Sequence, residues 1–242
     1  MSSNAKVALV TGSSRGIGRA IAERLAAAGA SVVVNYSQRS KAAEEVVRAI
    51  VAQGGKAVSV QGDISKAADV RRLFDEAERA FGTLDIVVAN AAVFFPKALA
   101  ESTEEDFDRM FEVNAKGVFL TLQQAANRID EGGSIVVVST GPTKMNMAGS
   151  SIYAASKGAA EQFVPTLARE LGPRNVNVNT VSPGFTETDM MLNEMRAYGA
   201  SLSPFGRVGS ADEVAAVVAF LTSPDGHWVT AQNVQAGGGV AF

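Results

Sequence analysis

The 242-residue chain has no cysteine, which excludes disulfides, thiolate metal sites and cysteine nucleophiles together. Histidine occurs once, at His227, so no imidazole cluster is available for a transition metal, and no metal cofactor is expected. Neither sign of charge dominates. The 22 lysines and arginines oppose 25 aspartates and glutamates for a formal net charge of -3, and the basic residues form no stripe that would track a phosphate backbone. Nucleic acid is therefore not an expected partner. No apolar run approaches the roughly 20 residues of a membrane span. The polar stretch Met1 to Lys6 leads straight into an apolar strand, without the basic segment, apolar stretch and cleavage site of an export signal. The expected location is the reducing cytoplasm, with no membrane partner. Hydrophobic residues make up 47% of the chain, enough for a full core, and no repeat, linker or composition break divides it. One domain over 1–242 is expected.

Short β-branched runs recur, each followed by a longer segment of helical periodicity: Val7 to Val10, Val32 to Val34, Ala57 to Val60, Ile86 to Ala89, Ile135 to Val138 and Val176 to Val181. Gln232 to Gln235 adds a seventh candidate. The runs are apolar at successive positions, as strands covered by helices on both faces require. Helices are predicted at Gly16 to Ala28, Ser40 to Gln53, Lys66 to Phe81, Thr103 to Asn127, Tyr153 to Leu171 and Ala211 to Leu221. Gly29, Gly54 and Gly82 lie just past three of them, where a left-handed cap is wanted. The pattern predicts an α/β fold: a doubly wound, mostly parallel seven-stranded sheet of the Rossmann type, with its ligand at the carboxyl ends of the strands.

The first strand runs into Gly12, Ser13, Ser14, Arg15, Gly16, Ile17 and Gly18 before a helix opens. Glycines permit close backbone approach, and the unsatisfied N–H groups of a helix start attract a pyrophosphate. On the first strand-to-helix turn of such a chain, this spacing points to a dinucleotide. A site for NAD usually places a carboxylate at the end of the second strand to accept from the ribose 2′-OH. Asn35 holds that place, followed by Tyr36, and no Asp or Glu occurs between Ala30 and Ala43. Arg15, Ser37, Arg39, Ser40 and Lys41 gather instead where a 2′-phosphate would lie, and a guanidinium grips phosphate where a carboxylate repels it. NADPH/NADP+ is the expected cofactor. Gly12 to Gly16 also fit the G-x-S-x-G elbow of α/β-hydrolases, but almost no chain precedes them to supply an oxyanion loop.

Tyr153 and Lys157 are four positions apart in a predicted helix, so their side chains share one face. A phenol titrates near pH 10, and a neighbouring ammonium favours its ionised form, which makes the pair a candidate acid and base. Taken alone, such a pair is more often surface decoration than a catalytic unit.

Several stretches taken together resemble the short-chain dehydrogenase/reductase family over nearly the whole chain: TGSSRGIG at Thr11 to Gly18, GDI at Gly62 to Ile64, ANAA at Ala89 to Ala92, VNAKG at Val113 to Gly117, YAASK at Tyr153 to Lys157 and SPGFTETDM at Ser182 to Met190. The resemblance implies Tyr153 as proton donor, Lys157 on the nicotinamide ribose and Asn114 as organiser of a proton-relay water. It further implies Asp63 and Ile64 beside the adenine, Asn90 and Ala91 near a ribose, and Pro183, Gly184 and Thr188 at the nicotinamide end. It also implies a homotetramer. The family's catalytic serine falls on Thr140, which keeps a hydroxyl, with Ser139 as an understudy; Ala92 stands where the family often has glycine.

Segments expected to line a substrate site, at 93–97, 144–152 and a lid around 190–205, carry Phe94, Met145, Met147, Ile152, Met190, Met191, Leu192 and Met195. The expected reaction is NADPH-dependent reduction of a hydrophobic ketone. The resemblance is nearest to the 3-oxoacyl-carrier-protein reductase and carbonyl reductase branch, so an acyl thioester is the alternative substrate. Docking of an acyl carrier would need a basic patch, for which Arg128 and Arg174 are the candidates. The non-enzymatic rival is a regulator that binds NADPH without turnover, against which Asn114, Tyr153 and Lys157 argue.

Overall fold

A computed structural model describes residues 5–240, so most of the polar N-terminal stretch lies outside the described residues. The chain alternates strand and helix from the start: β1 (Val7–Val10), α1 (Gly16–Ala27), β2 (Ser31–Tyr36), α2 (Ser40–Ala52), β3 (Lys56–Gln61), α3 (Ala67–Phe81) and β4 (Leu84–Ala89). It continues through α4 (Glu104–Phe111), α5 (Val118–Arg128), β5 (Ile129–Val138), α6 (Pro142–Met145), α7 (Ser151–Leu171) and β6 (Asn177–Pro183). The remainder comprises β7 (Thr186–Glu187), α8 (Met195–Leu202), β8 (Gly209–Ser210), α9 (Ala211–Leu221) and β9 (Asn233–Ala236). Gly29, Gly54 and Gly82 all have positive φ, as expected past α1, α2 and α3.

The main sheet has the order β3-β2-β1-β4-β5-β6-β9, and every neighbouring pair is parallel. β7 and β8 form a separate two-residue pairing that ties the chain after β6 to the start of α9. Alternation along β1 sends Val7 and Leu9 into a core with α3, α5 and α7, and Ala8 and Val10 into one with α1, α2 and α9. On α3, Val70, Leu73, Phe74 and Ala77 recur at helical spacing and are buried as one stripe. The strand order reverses between β1 and β4, which opens a crevice beyond their carboxyl ends. Some large apolar side chains remain in solvent: Trp228 is 96% exposed, and Phe119 and Phe163 lean together with ring centroids 6.1 Å apart.

One departure from the sequence pattern bears on the site. The helix predicted over Thr103 to Asn127 is interrupted by a π-helical segment, Glu112–Gly117, between α4 and α5. Thr103 starts the run with a reciprocal capping box to Asp106. The wider turn is the kind of local insertion found where a helix is shaped for function, and it turns Asn114 into the interior, where it has no exposed surface.

Candidate active site

The crevice contains a cavity of about 610 Å³, within the range of small-molecule sites, walled by the β1–α1 loop, the end of β2, Asp63 and Ile64 after β3, and Asn90 to Val93 after β4. Gly12, Ser14, Arg15, Gly16, Ile17 and Gly18 all line it. Gly12 has φ +62, and a Cβ there would lie 2.8 Å from the backbone of Ala91, so a side chain would push the phosphate loop off the loop that follows β4. Arg15 is the N-cap of α1 and makes no side-chain capping bond, which leaves the first N–H groups of the helix for an anion. Tyr36, Ser37 and Arg39 line the far end, while Ser40 and Lys41 do not. Backbone donors, two guanidiniums and a strand-end crevice suit a dinucleotide carrying a 2′-phosphate.

Asn35 does not act as the stand-in for a ribose-binding carboxylate that its sequence position suggested. β2 continues through Tyr36, and Asn35 is buried with its amide engaged: it accepts from the N–H of Gly12 at 3.0 Å and donates to the carbonyl of Gly62 at 3.0 Å. It borders the cavity as a stitch between the phosphate loop and β3, and Tyr36 and Ser37 line the same wall. A carboxylate does reach the arginines, but from far along the chain. Asp189 lies 3.5 Å from Arg15 and 3.7 Å from Arg39. Nothing in the local sequence signals that contact.

At the inner wall, α7 carries Tyr153 and Lys157 on one face, as spacing predicted, and both are buried. Tyr153 packs on Phe94 with ring centroids 4.7 Å apart. Burial pushes its hydroxyl above the usual phenol range, and a hydrogen bond with Thr140 pulls in the opposite direction. Lys157 donates to the carbonyl of Val138 at 2.6 Å; burial lowers its ammonium to about 8, against an opposing pull from Glu161. Thr140, just past β5, is thus the hydroxyl beside the tyrosine. Ser139 points its own hydroxyl at Glu161 on α7, 2.6 Å away, and is the weaker candidate. Glu161 was not singled out from sequence; its place one turn past Lys157 was the available signal.

Asn114 reaches neither cavity. Its amide donates to Val93 O at 2.9 Å and Ser156 Oγ at 3.1 Å, and accepts from Val93 N at 2.9 Å. Ser156 in turn donates to the carbonyl of Tyr153 at 2.8 Å. The π-helical segment is therefore bonded both to the loop bearing Phe94 and to the helix bearing Tyr153.

A second, more apolar cavity adjoins the first. Ile17, Ser139, Tyr153, Thr188 and Met190 face both. Phe94, Met145, Met147, Met190, Met191, Leu192 and Met195 line it as expected, joined by Phe185 and Pro142. Five of the seven methionines are here. Ile152 is absent from this lining: it precedes Tyr153 by one residue, about 100° around the helix, and faces elsewhere. Pro183 and Gly184 line this cavity rather than the larger one, because Pro183 is bound by the N–H of Gly141 at 2.7 Å beside Thr140. Neither candidate for carrier docking is free. Arg128 pairs with Asp75 at 2.7 Å, and Arg174 donates to the carbonyls of Ala126 and Ile129. Among the described residues no group of acidic or histidine side chains is placed to hold a metal, and no helix is long and apolar enough to cross a membrane.

The profile of the family described as enoyl-(acyl carrier protein) reductase, of the short-chain alcohol dehydrogenase type, matches residues 12–241. An uncharacterized oxidoreductase of Methylorubrum extorquens is 46% identical, covering 97% of each chain. A short-chain dehydrogenase from Burkholderia cenocepacia, solved in complex with NADP, superposes with a TM-score of 0.94 at 41% identity, covering 97% of each chain. The landomycin C-6 ketoreductase LanV, solved with NADP and rabelomycin, does so with a TM-score of 0.91 at 42% identity, covering 97% of this chain and 96% of that one.

Proposed function

The chain belongs to the short-chain dehydrogenase/reductase family, and on that premise we propose that it is an NADP-dependent ketoreductase, an oxidoreductase that reduces a ketone on a hydrophobic, aromatic small molecule to an alcohol. The observation that carries the reading is Tyr153, beside Thr140, on the wall that the polar and apolar cavities share. When bound, NADPH supplies the hydride. Arg15 and Arg39 would hold its 2′-phosphate, and the β1–α1 loop its pyrophosphate. Asp63 and Ile64 would border the adenine, Asn90 and Ala91 a ribose, and Thr188 the nicotinamide end, with Pro183 and Gly184 lining the adjoining cavity.

Thr140 donates to the carbonyl oxygen and polarises it; Tyr153 delivers its proton to the same oxygen as the alkoxide forms. Burial favours that direction, because a phenol held above its ordinary pKa stays protonated at neutral pH. Lys157 would hold the nicotinamide ribose; the lowering of the phenol by its ammonium, expected from sequence, is not found, since burial raises the Tyr153 hydroxyl and the opposing pull comes from Thr140.

The thioether and aromatic lining suits flat, polarisable rings, since sulfur packs favourably at ring edges and unbranched side chains adapt to irregular shapes. The rabelomycin complex of the LanV relative supports the same class. The apolar cavity holds about 140 Å³ as it stands, less than a multi-ring ligand occupies, so the segment 190–205 acts as a lid that opens for it. An acyl-thioester substrate is less well supported, given how Arg128 and Arg174 are engaged. The exposed Phe119, Phe163 and Trp228 support self-association, with the homotetramer as the expected form. A reducing cytoplasm, which maintains NADPH, is the compartment the reading calls for.

The test is consumption of NADPH against aromatic diketones, quinones, β-ketoesters and an acyl thioester, with NADH in parallel. Turnover of the aromatic ketones with NADPH preferred is expected. Tight NADPH binding with no turnover on any of them would instead favour the regulator.

A further inference from the structure

β5 delivers two hydroxyls in succession, Ser139 and Thr140, to a site that uses one. What separates them is a carboxylate on the helix opposite. The Ser139 hydroxyl donates to Glu161 Oε1 at 2.6 Å, and Thr143 Oγ1 lies 2.8 Å from the same oxygen. Thr143 Oγ1 is also 3.0 Å from the carbonyl oxygen of Thr140. Glu161 therefore grips the chain on both sides of Thr140, through Ser139 before it and Thr143 three residues after it; the single Thr143 proton goes to the carboxylate, so its approach to the Thr140 carbonyl is not a second hydrogen bond. Hydrogen bonds to a carboxylate are roughly twice as strong as those between neutral groups, and this one receives two at a single oxygen. Glu161 stands on α7 at the fourth position after Lys157 and the eighth after Tyr153, so one rigid helix carries the proton donor and the clamp that holds its partner hydroxyl.

We infer that Glu161 is a positioning residue that selects Thr140 over Ser139 as the carbonyl-facing hydroxyl and fixes its register against Tyr153. This rests on the reading of the protein as a ketoreductase in which Thr140 touches the substrate carbonyl. Glu161 itself touches neither substrate nor cofactor, and its contribution passes through Thr140.

The experiment is a double-mutant cycle on E161A and T140A, with phenanthrenequinone as substrate probe and calorimetric NADPH binding as a second readout. E161A is expected to lower kcat about 10-fold, the order expected when a reacting group drifts by a fraction of an ångström, with NADPH affinity unchanged. In the T140A background the same change should cost almost nothing, since the group it positions is gone. Glu161→Gln, which keeps the accepting oxygen without the charge, should recover most of the lost rate. If E161A does not fold, Ser139→Ala combined with Thr143→Val cuts the same links from the other side and should reproduce the loss. A Glu161 penalty that persists in full in the T140A background, or a Gln variant as slow as Ala, overturns the inference and leaves the catalytic reading standing. A T140A variant as fast as wild type overturns that reading of Thr140 and the inference with it.

Discussion

Replacing Lys157 by methionine should remove turnover and at the same time raise the melting temperature. Lys157 is 1% exposed, and burial lowers its ammonium from 10.5 to about 8. At about 1.4 kcal/mol per pH unit, holding that charge in the fold costs roughly 3 kcal/mol wherever the lysine is protonated in both states. Methionine has a similar reach, is unbranched and carries no charge. Against the gain stands the carbonyl of Val138, which loses a 2.6 Å hydrogen bond at a cost of about 1–2 kcal/mol. The net gain of about 1–2 kcal/mol corresponds to a few degrees for a chain of this size, at about 2–4 °C per kcal/mol. The pH dependence isolates the cause. Because the folded pKa lies below the unfolded one, the folded chain binds fewer protons between about 8 and 10.5, and wild-type stability rises with pH across that window. The variant has no such group, so its advantage is full below about 8 and, because the hydrogen bond to Val138 is still missing, reverses before 10.5. Thermal denaturation of both proteins without cofactor, at neutral pH and near 10, makes the measurement. A wild type more stable than the variant at neutral pH, or a difference that ignores pH, would refute the reasoning.

Tyr153→Phe should reduce kcat by about 10³-fold or more while calorimetry finds NADPH binding nearly unchanged; near-normal turnover removes the mechanism. The kcat/KM profile of the wild type should fall on its basic side near 8, where Lys157 loses its proton in the free enzyme, well before the raised Tyr153 ionises. Thr140→Ala should lower kcat by about 10²-fold and Ser139→Ala far less, and the reverse order in steady-state assays would transfer the role. Arg39→Leu should weaken NADPH about 10-fold and leave NADH little changed, whereas Asp189→Asn should tighten NADPH by removing a carboxylate that competes with the 2′-phosphate; a titration of both cofactors against both variants decides.

The inner strands were legible because they are covered on both faces and read as β-branched runs, whereas the edge strands β3 and β9 are partly exposed and read more weakly; all seven candidates enter the sheet, with shifted ends. The site was legible where it is local, as in the glycine loop and the i, i+4 spacing of Tyr153 and Lys157. The π-helical segment was not, since an apolar pattern of helical period runs through Glu112–Gly117 without a break that marks the extra residue. Asn35 was legible as a residue of the cavity wall, but not as the link between Gly12 and Gly62, because those partners are set by tertiary packing. Asp189 escaped for the same reason, since it meets Arg15 and Arg39 from far along the chain; Glu161 offered a spacing signal one turn past Lys157, but its partners Ser139 and Thr143 lie on another element.

The distribution of sulfur sets how this protein fails under oxidants. With no thiol anywhere in the sequence, thioethers are the first groups an oxidant can reach, and most of them surround the apolar cavity. Conversion of a methionine to its sulfoxide turns a soft apolar contact into a polar, chiral one, without touching Tyr153, Lys157 or the phosphate loop. Damage therefore arrives as lost recognition before lost chemistry. KM for the substrate should climb first, with NADPH binding affected only through Met190, which also lines the larger cavity, and methionine sulfoxide reductases, rather than a disulfide reductant, should restore activity.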